Sequence, residues 1–89
     1  MAETLTLKPG VLLTETEYGM ALLDERTAEY WTLNPTAALV LRTLLDGHGT
    51  GRAAELLTER YEDVDPETAG EDVRRVVAEL RAAGLVAAS

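Results

Sequence analysis

Cysteine is absent and histidine occurs once in this 89-residue chain. The first absence removes disulfides, thiolate metal ligands and thiol nucleophiles, and the second leaves one imidazole for any acid–base chemistry. That histidine, His48, stands between Gly47 and Gly49, the setting of a solvated turn and not of a positioned general base. The acid pairs Glu62-Asp63 and Glu71-Asp72 lack ligand spacing, so no metal site is expected. Gly47, Gly49 and Gly51 fall between two helical patterns instead of after a buried strand, which argues against a phosphate-cradling loop. No apolar run approaches the roughly 18 residues that span a bilayer, and the start of the chain lacks the basic segment of a signal peptide. Basic residues are also scarce. Eight of them against sixteen acidic ones give a net charge of -8, which repels nucleic acid and anionic lipid and favours a cationic or neutral partner. The expectation is a soluble, unprocessed, cytoplasmic protein in which catalysis is hard to place, with no cofactor, nucleic acid or membrane.

What is present is enough for one modest core. At 46% apolar residues, positions 1–89 suit a single small domain, ordered from about residue 5 to residue 86, with no room for a deep cleft. Leu5 and Leu7 alternate with Thr4, Thr6 and Lys8 in a weak strand pattern that ends at the turn dipeptide Pro9-Gly10. Val11 to Glu15, Met20 to Leu23 and Glu29 to Leu33 read as three strands of an antiparallel meander, joined by turns at Thr16 to Gly19 and Asp24 to Thr27. Asn34 can cap a helix and Pro35 fits its first position.

The first helix is expected over 35–45, with Ala37, Val40, Leu41, Leu44 and Leu45 on its apolar side and Arg42 and Thr43 opposite. Thr50 is a candidate cap for a second helix over 51–61, whose apolar side carries Ala53, Ala54, Leu56, Leu57 and Tyr61. Asp65, Pro66 and Glu67 open a third helix that continues to Ala83 and stops at Gly84. Ala69, Val73, Val76, Leu80 and Ala83 form its apolar stripe. Leu85 and Val86 should return to the core, while Ala87, Ala88 and Ser89 should fray. The fold class is therefore α+β, a winged-helix-like arrangement in which a three-stranded antiparallel sheet precedes three α-helices.

Winged-helix material raises DNA binding. Helix three carries Arg74, Arg75 and Arg81, but Glu67, Glu71, Asp72 and Glu79 offset them and leave no basic stripe. Peptide binding fits better, because an edge strand can accept an extended chain as an added strand. In Glu29 to Leu33, Trp31 and Leu33 share one face and Tyr30 and Thr32 the other. The aromatics are either ordinary packing or part of such a site. Helix three offers two flanks, one with Asp72, Val76, Glu79 and Ala83 and one with Arg74, Val77 and Arg81, and the mixed apolar and acidic flank is favoured.

The run from Gly19 to Ala37, the Asp46-Gly47 pair and the ending from Glu71 to Val86 resemble the PqqD-like proteins, the precursor-peptide recognition elements of ribosomally made, modified peptide pathways, and most closely the free-standing lasso-peptide type. The similarity extends from Val11 to Val86. It implies a non-catalytic, winged-helix-like protein that binds the leader region of a precursor peptide as a strand added to the third strand, in a cleft closed by the third helix. Its implied partners are that leader peptide, a separate leader peptidase and a macrolactam-forming cyclase. Carried onto this chain, the leader-binding residues are Glu29, Tyr30, Trp31, Thr32 and Leu33 on the strand and Asp72, Val76, Glu79, Leu80 and Ala83 on the helix. Ala28 departs from the pattern, standing where many relatives have glycine. A DNA-binding regulator and a structural subunit of a larger enzyme remain as alternatives.

Overall fold

A computed structural model describes residues 5–88. Apolar alternation gives β1 (Leu5–Leu7) and short apolar or aromatic runs give β2 (Val11–Thr16), β3 (Gly19–Asp24) and β4 (Glu29–Leu33). Three helices follow, α1 (Pro35–Leu45), α2 (Thr50–Arg60) and α3 (Pro66–Ala82), and then β5 (Val86–Ala88). The fold is α+β, with β2, β3 and β4 forming an antiparallel sheet in that order. In it β3 is central and β4 is an edge. The register pairs Asp24 with Glu29 and Met20 with Leu33, so Leu13, Leu22 and Trp31 form a row facing the helices and Leu12, Leu23 and Tyr30 a row facing outward.

The second sheet corrects the expected ends of the chain. β1 pairs with β5 in antiparallel register, Leu5 opposite Ala88 and Leu7 opposite Val86, so Ala87 and Ala88 are strand residues and not frayed ones. Backbone pairing across the whole chain length holds them. Lys8 N–H donates to the Leu85 carbonyl at 2.9 Å and continues the tie. Leu85 and Val86 are buried, as the sequence implied, while Ser89 lies outside the described residues.

Local chemistry accounts for the helix boundaries. The Asn34 side chain accepts from Ala37 N–H at 2.9 Å, and Asp65 accepts from Thr68 N–H at 2.8 Å, satisfying donors that a helix start leaves open. The expected cap at Thr50 is displaced by one residue. Gly49 is extended and occupies the cap position without a side-chain bond, which places Thr50 in the helix. Tyr61 and Ala83 are C-terminal caps and not helical residues. Thr43, expected opposite the apolar face, is buried, because its hydroxyl donates to the Leu39 carbonyl at 2.7 Å and needs no water.

The core gathers Met20 and Leu22 from the sheet, Val40 and Leu41 from α1, Leu57 from α2, Val73 and Leu80 from α3, and Leu85 and Val86 from the end of the chain. At about 0.8 kcal/mol for each buried methylene, these side chains supply the main drive for folding. Gly19 fixes one corner. Its φ is +143°, and a Cβ there would collide with the Leu33 carbonyl, so the start of β3 can lie against the end of β4 only as glycine. Among the described residues, no helix is long and apolar enough to cross a membrane.

Candidate functional site

Between β4 and α3 runs a groove made of two adjoining hollows. One, of about 220 Å³, is lined mostly by apolar residues, Trp31, Leu33, Ala37, Leu80, Ala83 and Leu85 among them. The other, of about 160 Å³, is bordered by Asn34, Thr36, Asp72, Arg75 and Glu79 over a floor that includes Val40 and Leu57. Thr32, Leu33, Ala37, Val76 and Glu79 border both, so the hollows form one channel. Each is smaller than the roughly 300–1,000 Å³ of pockets that engulf small ligands. Side chains of an extended chain lying along the groove match them better.

Strand alternation supplies one wall. Trp31 and Leu33 are half-buried toward the helices, whereas Tyr30 is 63% exposed on the outer face and Thr32 is exposed beside it. Helical periodicity supplies the other. Asp72, Val76, Glu79 and Ala83 recur every three or four residues and line up along the groove, with Leu80 buried behind them. The structure therefore brings eight of the ten sequence-derived positions to one channel: Trp31, Thr32, Leu33, Asp72, Val76, Glu79, Leu80 and Ala83. Glu29 and Tyr30 stand outside it, Glu29 at the start of β4 and Tyr30 in the outward row with Leu23 and Leu12.

Other groove residues were not reached from the sequence. Arg75 lies three residues after Asp72 and four before Glu79, and its Nη2 is 3.1 Å from Asp72 Oδ1. The same angular spacing that groups Asp72 with Glu79 marks it as their neighbour. Ala37 and Leu85 enter through the packing of α1 and of the chain end against β4, which no local pattern reveals. Along β4 the edge away from β3 has no strand partner among the described residues, the kind of edge an extended chain can join, and Glu29 N–H at its start already donates to the Thr27 hydroxyl at 3.2 Å.

The end of the groove near the β3–β4 turn is held by charge. Asp24, expected in the turn, is instead the last residue of β3 and buried, and the turn itself spans Glu25 to Ala28. Arg26 makes that burial possible. Its Nε donates to Asp24 Oδ1 at 3.0 Å and its Nη2 to Oδ2 at 2.9 Å, while its backbone N–H adds a bond to Oδ1 at 2.9 Å. The Arg26 guanidinium holds the Asp24 carboxyl below its usual range despite the opposing effect of burial. Ala28 adopts a φ of +62°, and its N–H donates to the Asp24 carbonyl at 2.7 Å. The β3–β4 register is thus kept with alanine in a left-handed turn position. Among the described residues, no group of three or more His, Cys, Asp or Glu side chains is placed to hold a metal ion.

An open edge strand facing a helix across a side-chain-sized groove defines a class of small α+β proteins built to offer a surface and not an enclosed pocket. The chain belongs to the family described as coenzyme PQQ synthesis protein D (PqqD), whose model matches residues 19–86. A solved structure of a lasso peptide synthetase B1 complexed with the leader peptide is similar at 41% identity and a TM-score of 0.87, over 93% of this chain and 96% of that one. TbiB1 in complex with the TbiA(beta) leader peptide shares the fold at 20% identity and a TM-score of 0.81, over 91% of this chain and 93% of that one. The fold also recurs in SuiB of Streptococcus suis at 18% identity and a TM-score of 0.50, over 93% of this chain but only 24% of that one. No curated protein matches the chain.

Proposed function

We propose that this protein is a non-catalytic adaptor that binds the leader region of a ribosomally made precursor peptide, of the lasso-peptide kind, as a strand added to β4 against α3. The carrying observation is the unpaired β4 edge set beside a groove whose hollows suit single side chains. Main-chain bonds along β4 dock the peptide without regard to sequence. The apolar hollow around Trp31, Leu80 and Ala83 takes an aliphatic or aromatic anchor, and the end bordered by Asp72 and Glu79 takes a hydroxyl or basic group. The 41%-identical synthetase B1, solved with a leader peptide, supports this choice of ligand.

The chain works as one domain in the cytoplasm, and it delivers the bound leader to a separate peptidase and to the cyclase. Edge docking suits delivery, since alternate side chains of an added strand stay on the outer face, where an enzyme can reach them. The DNA-binding reading gains nothing from the structure. Arg75 is engaged with Asp72, and α3 carries Glu67, Glu71, Asp72 and Glu79 along with its arginines.

Calorimetric titration with the leader peptide encoded beside this gene tests the proposal. Saturable binding at tens of micromolar or tighter, corresponding to at least about 6 kcal/mol, is expected. No binding in that range by a protein whose circular dichroism shows it folded would refute it.

A further inference from the structure

One side chain ties together three segments around the apolar end of the groove. Besides its two bonds to the buried Asp24 carboxylate, Arg26 Nη2 donates to the Gly84 carbonyl at 3.1 Å. Gly84 follows the last groove residue of the helix wall, Ala83, and precedes Leu85, which lines the same hollow. Its own conformation is set by the helix end. It has a φ of +74°, its N–H donates to the Arg81 carbonyl, and Leu85 N–H donates to the Leu80 carbonyl. The Arg26 stem lies over Gly10, where a Cβ would come within 3.1 Å of Arg26 Cγ. Glu25 N–H donates to the Gly10 carbonyl at 2.9 Å and closes the junction. Arg26 thus spans from the turn that starts β4 to the point where α3 ends, and these are the two walls of the groove.

The chemistry of this tie favours a fixed separation. The planar guanidinium presents its donors in a rigid fork, and the Asp24 carboxylate is locked by a backbone N–H as well as by the fork. The donor that reaches Gly84 is therefore aimed by a buried partner and not by a free surface side chain. Sequence separation of 58 residues between Arg26 and Gly84 makes the bond a tertiary clamp and not a feature of the turn alone.

We propose that Arg26 is a positioning residue that presets the width of the groove's apolar end and thereby the affinity for the apolar anchor of the bound peptide. The proposal rests on reading the groove as the leader site. It touches no ligand group itself. It acts by holding Trp31 and the Ala83–Leu85 segment at a fixed spacing before the peptide arrives, which spares the complex the cost of ordering them.

The test compares wild type with Arg26→Lys, Arg26→Met and the paired Asp24→Leu/Arg26→Met change. Lysine keeps the charge opposite Asp24 but cannot fork, and the paired change removes the buried charge together with its partner so that the fold survives. Each protein is titrated with the leader peptide and with leader peptides whose apolar residues are replaced one at a time by alanine. Arg26→Met and the paired change should bind the intact leader at least about tenfold more weakly. Alanine at the anchor should then cost them much less than it costs wild type, a coupling that a purely structural role does not produce. Arg26→Lys should fall between. Equal affinity of wild type and the paired variant would overturn the proposal, as would an equal penalty for anchored and anchor-less peptides.

A readout without peptide separates this result from failure of the leader assignment. Trp31 is the only tryptophan and lines the apolar hollow, so its emission should shift to longer wavelength in the paired variant as that end opens to water. An unchanged spectrum in the folded variant would overturn the inference whatever the wild type binds.

Discussion

Ala28 occupies a backbone region in which its Cβ is crowded, with φ at +62°. Glycine there loses nothing to sterics, and the left-handed conformation costs an L-residue roughly 1–2 kcal/mol. Ala28→Gly should therefore raise stability by about 1 kcal/mol, or about 4–8 °C in Tm for a domain of this size, measurable by thermal melting. Asn34 provides a contrasting case. Its cap bond to Ala37 is local, and Asn34→Ala should cost about 1 kcal/mol in urea denaturation. Acid is the third residue-level probe. Asp24 is held down chiefly by the Arg26 side chain and Asp65 by bonds to Thr68, so both have folded pKa values below their unfolded ones. The stability they contribute is complete above the unfolded value of about 4 and is lost as pH falls through the lower folded values. Stability should be flat in this respect from pH 5 to 8 and decline below pH 4, with Asp65→Asn flattening the decline in acid-titrated melts. The caps at Asn34 and Asp65 were legible in the sequence because a cap is a matter of three or four adjacent residues. The burial of Asp24 was not, since it depends on an arginine that also reaches Gly84, 58 residues away from it.

At the scale of elements, β4 and α3 are the two walls of the proposed leader site. Successive residues of β4 turn their N–H groups alternately toward β3 and toward the open edge. Proline placed in turn at Trp31 and Thr32, each compared with alanine at the same position to separate the side chain from the N–H, should thus give opposite signatures: one proline variant loses more stability than its alanine counterpart with a ladder bond, and the other binds leader peptide at least about tenfold more weakly than its alanine counterpart. Two variants that both bind like wild type would argue against strand addition. The elements themselves were legible wherever periodicity was long. The four- and three-residue recurrence from Ala69 to Ala83 located the buried face of α3, whereas the choice between its two flanks turned on their chemistry and not on periodicity. The pairing of β1 with β5 could not be read, because each strand has three residues and they lie at opposite ends of the chain. Ala37 and Leu85 escaped for the same reason. Each is an ordinary apolar residue until tertiary packing sets it against Trp31.

For the whole molecule, net charge and coupling between binding and folding decide behaviour in solution. A net charge of -8 should speed encounter with a leader peptide that carries net positive charge. Raising salt from about 50 to 500 mM shortens the screening length several-fold, so the association rate should fall while dissociation changes little, as stopped-flow fluorescence of Trp31 can follow. A peptide that binds only the folded chain also stabilises it, by about 2.7 kcal/mol at a hundredfold excess over Kd, so the leader should raise Tm. The position of the bound peptide decides whether β4 is the docking edge. The most direct measurement is the amide spectrum of the 15N-labelled protein titrated with leader peptide. Binding at the β4 edge should move the signals of residues 29–33 and of 72–83 together, with new protection from exchange at the outward N–H groups of β4. Shifts confined to α2 or to the β1–β5 sheet, with β4 and α3 unmoved at saturation, would contradict it.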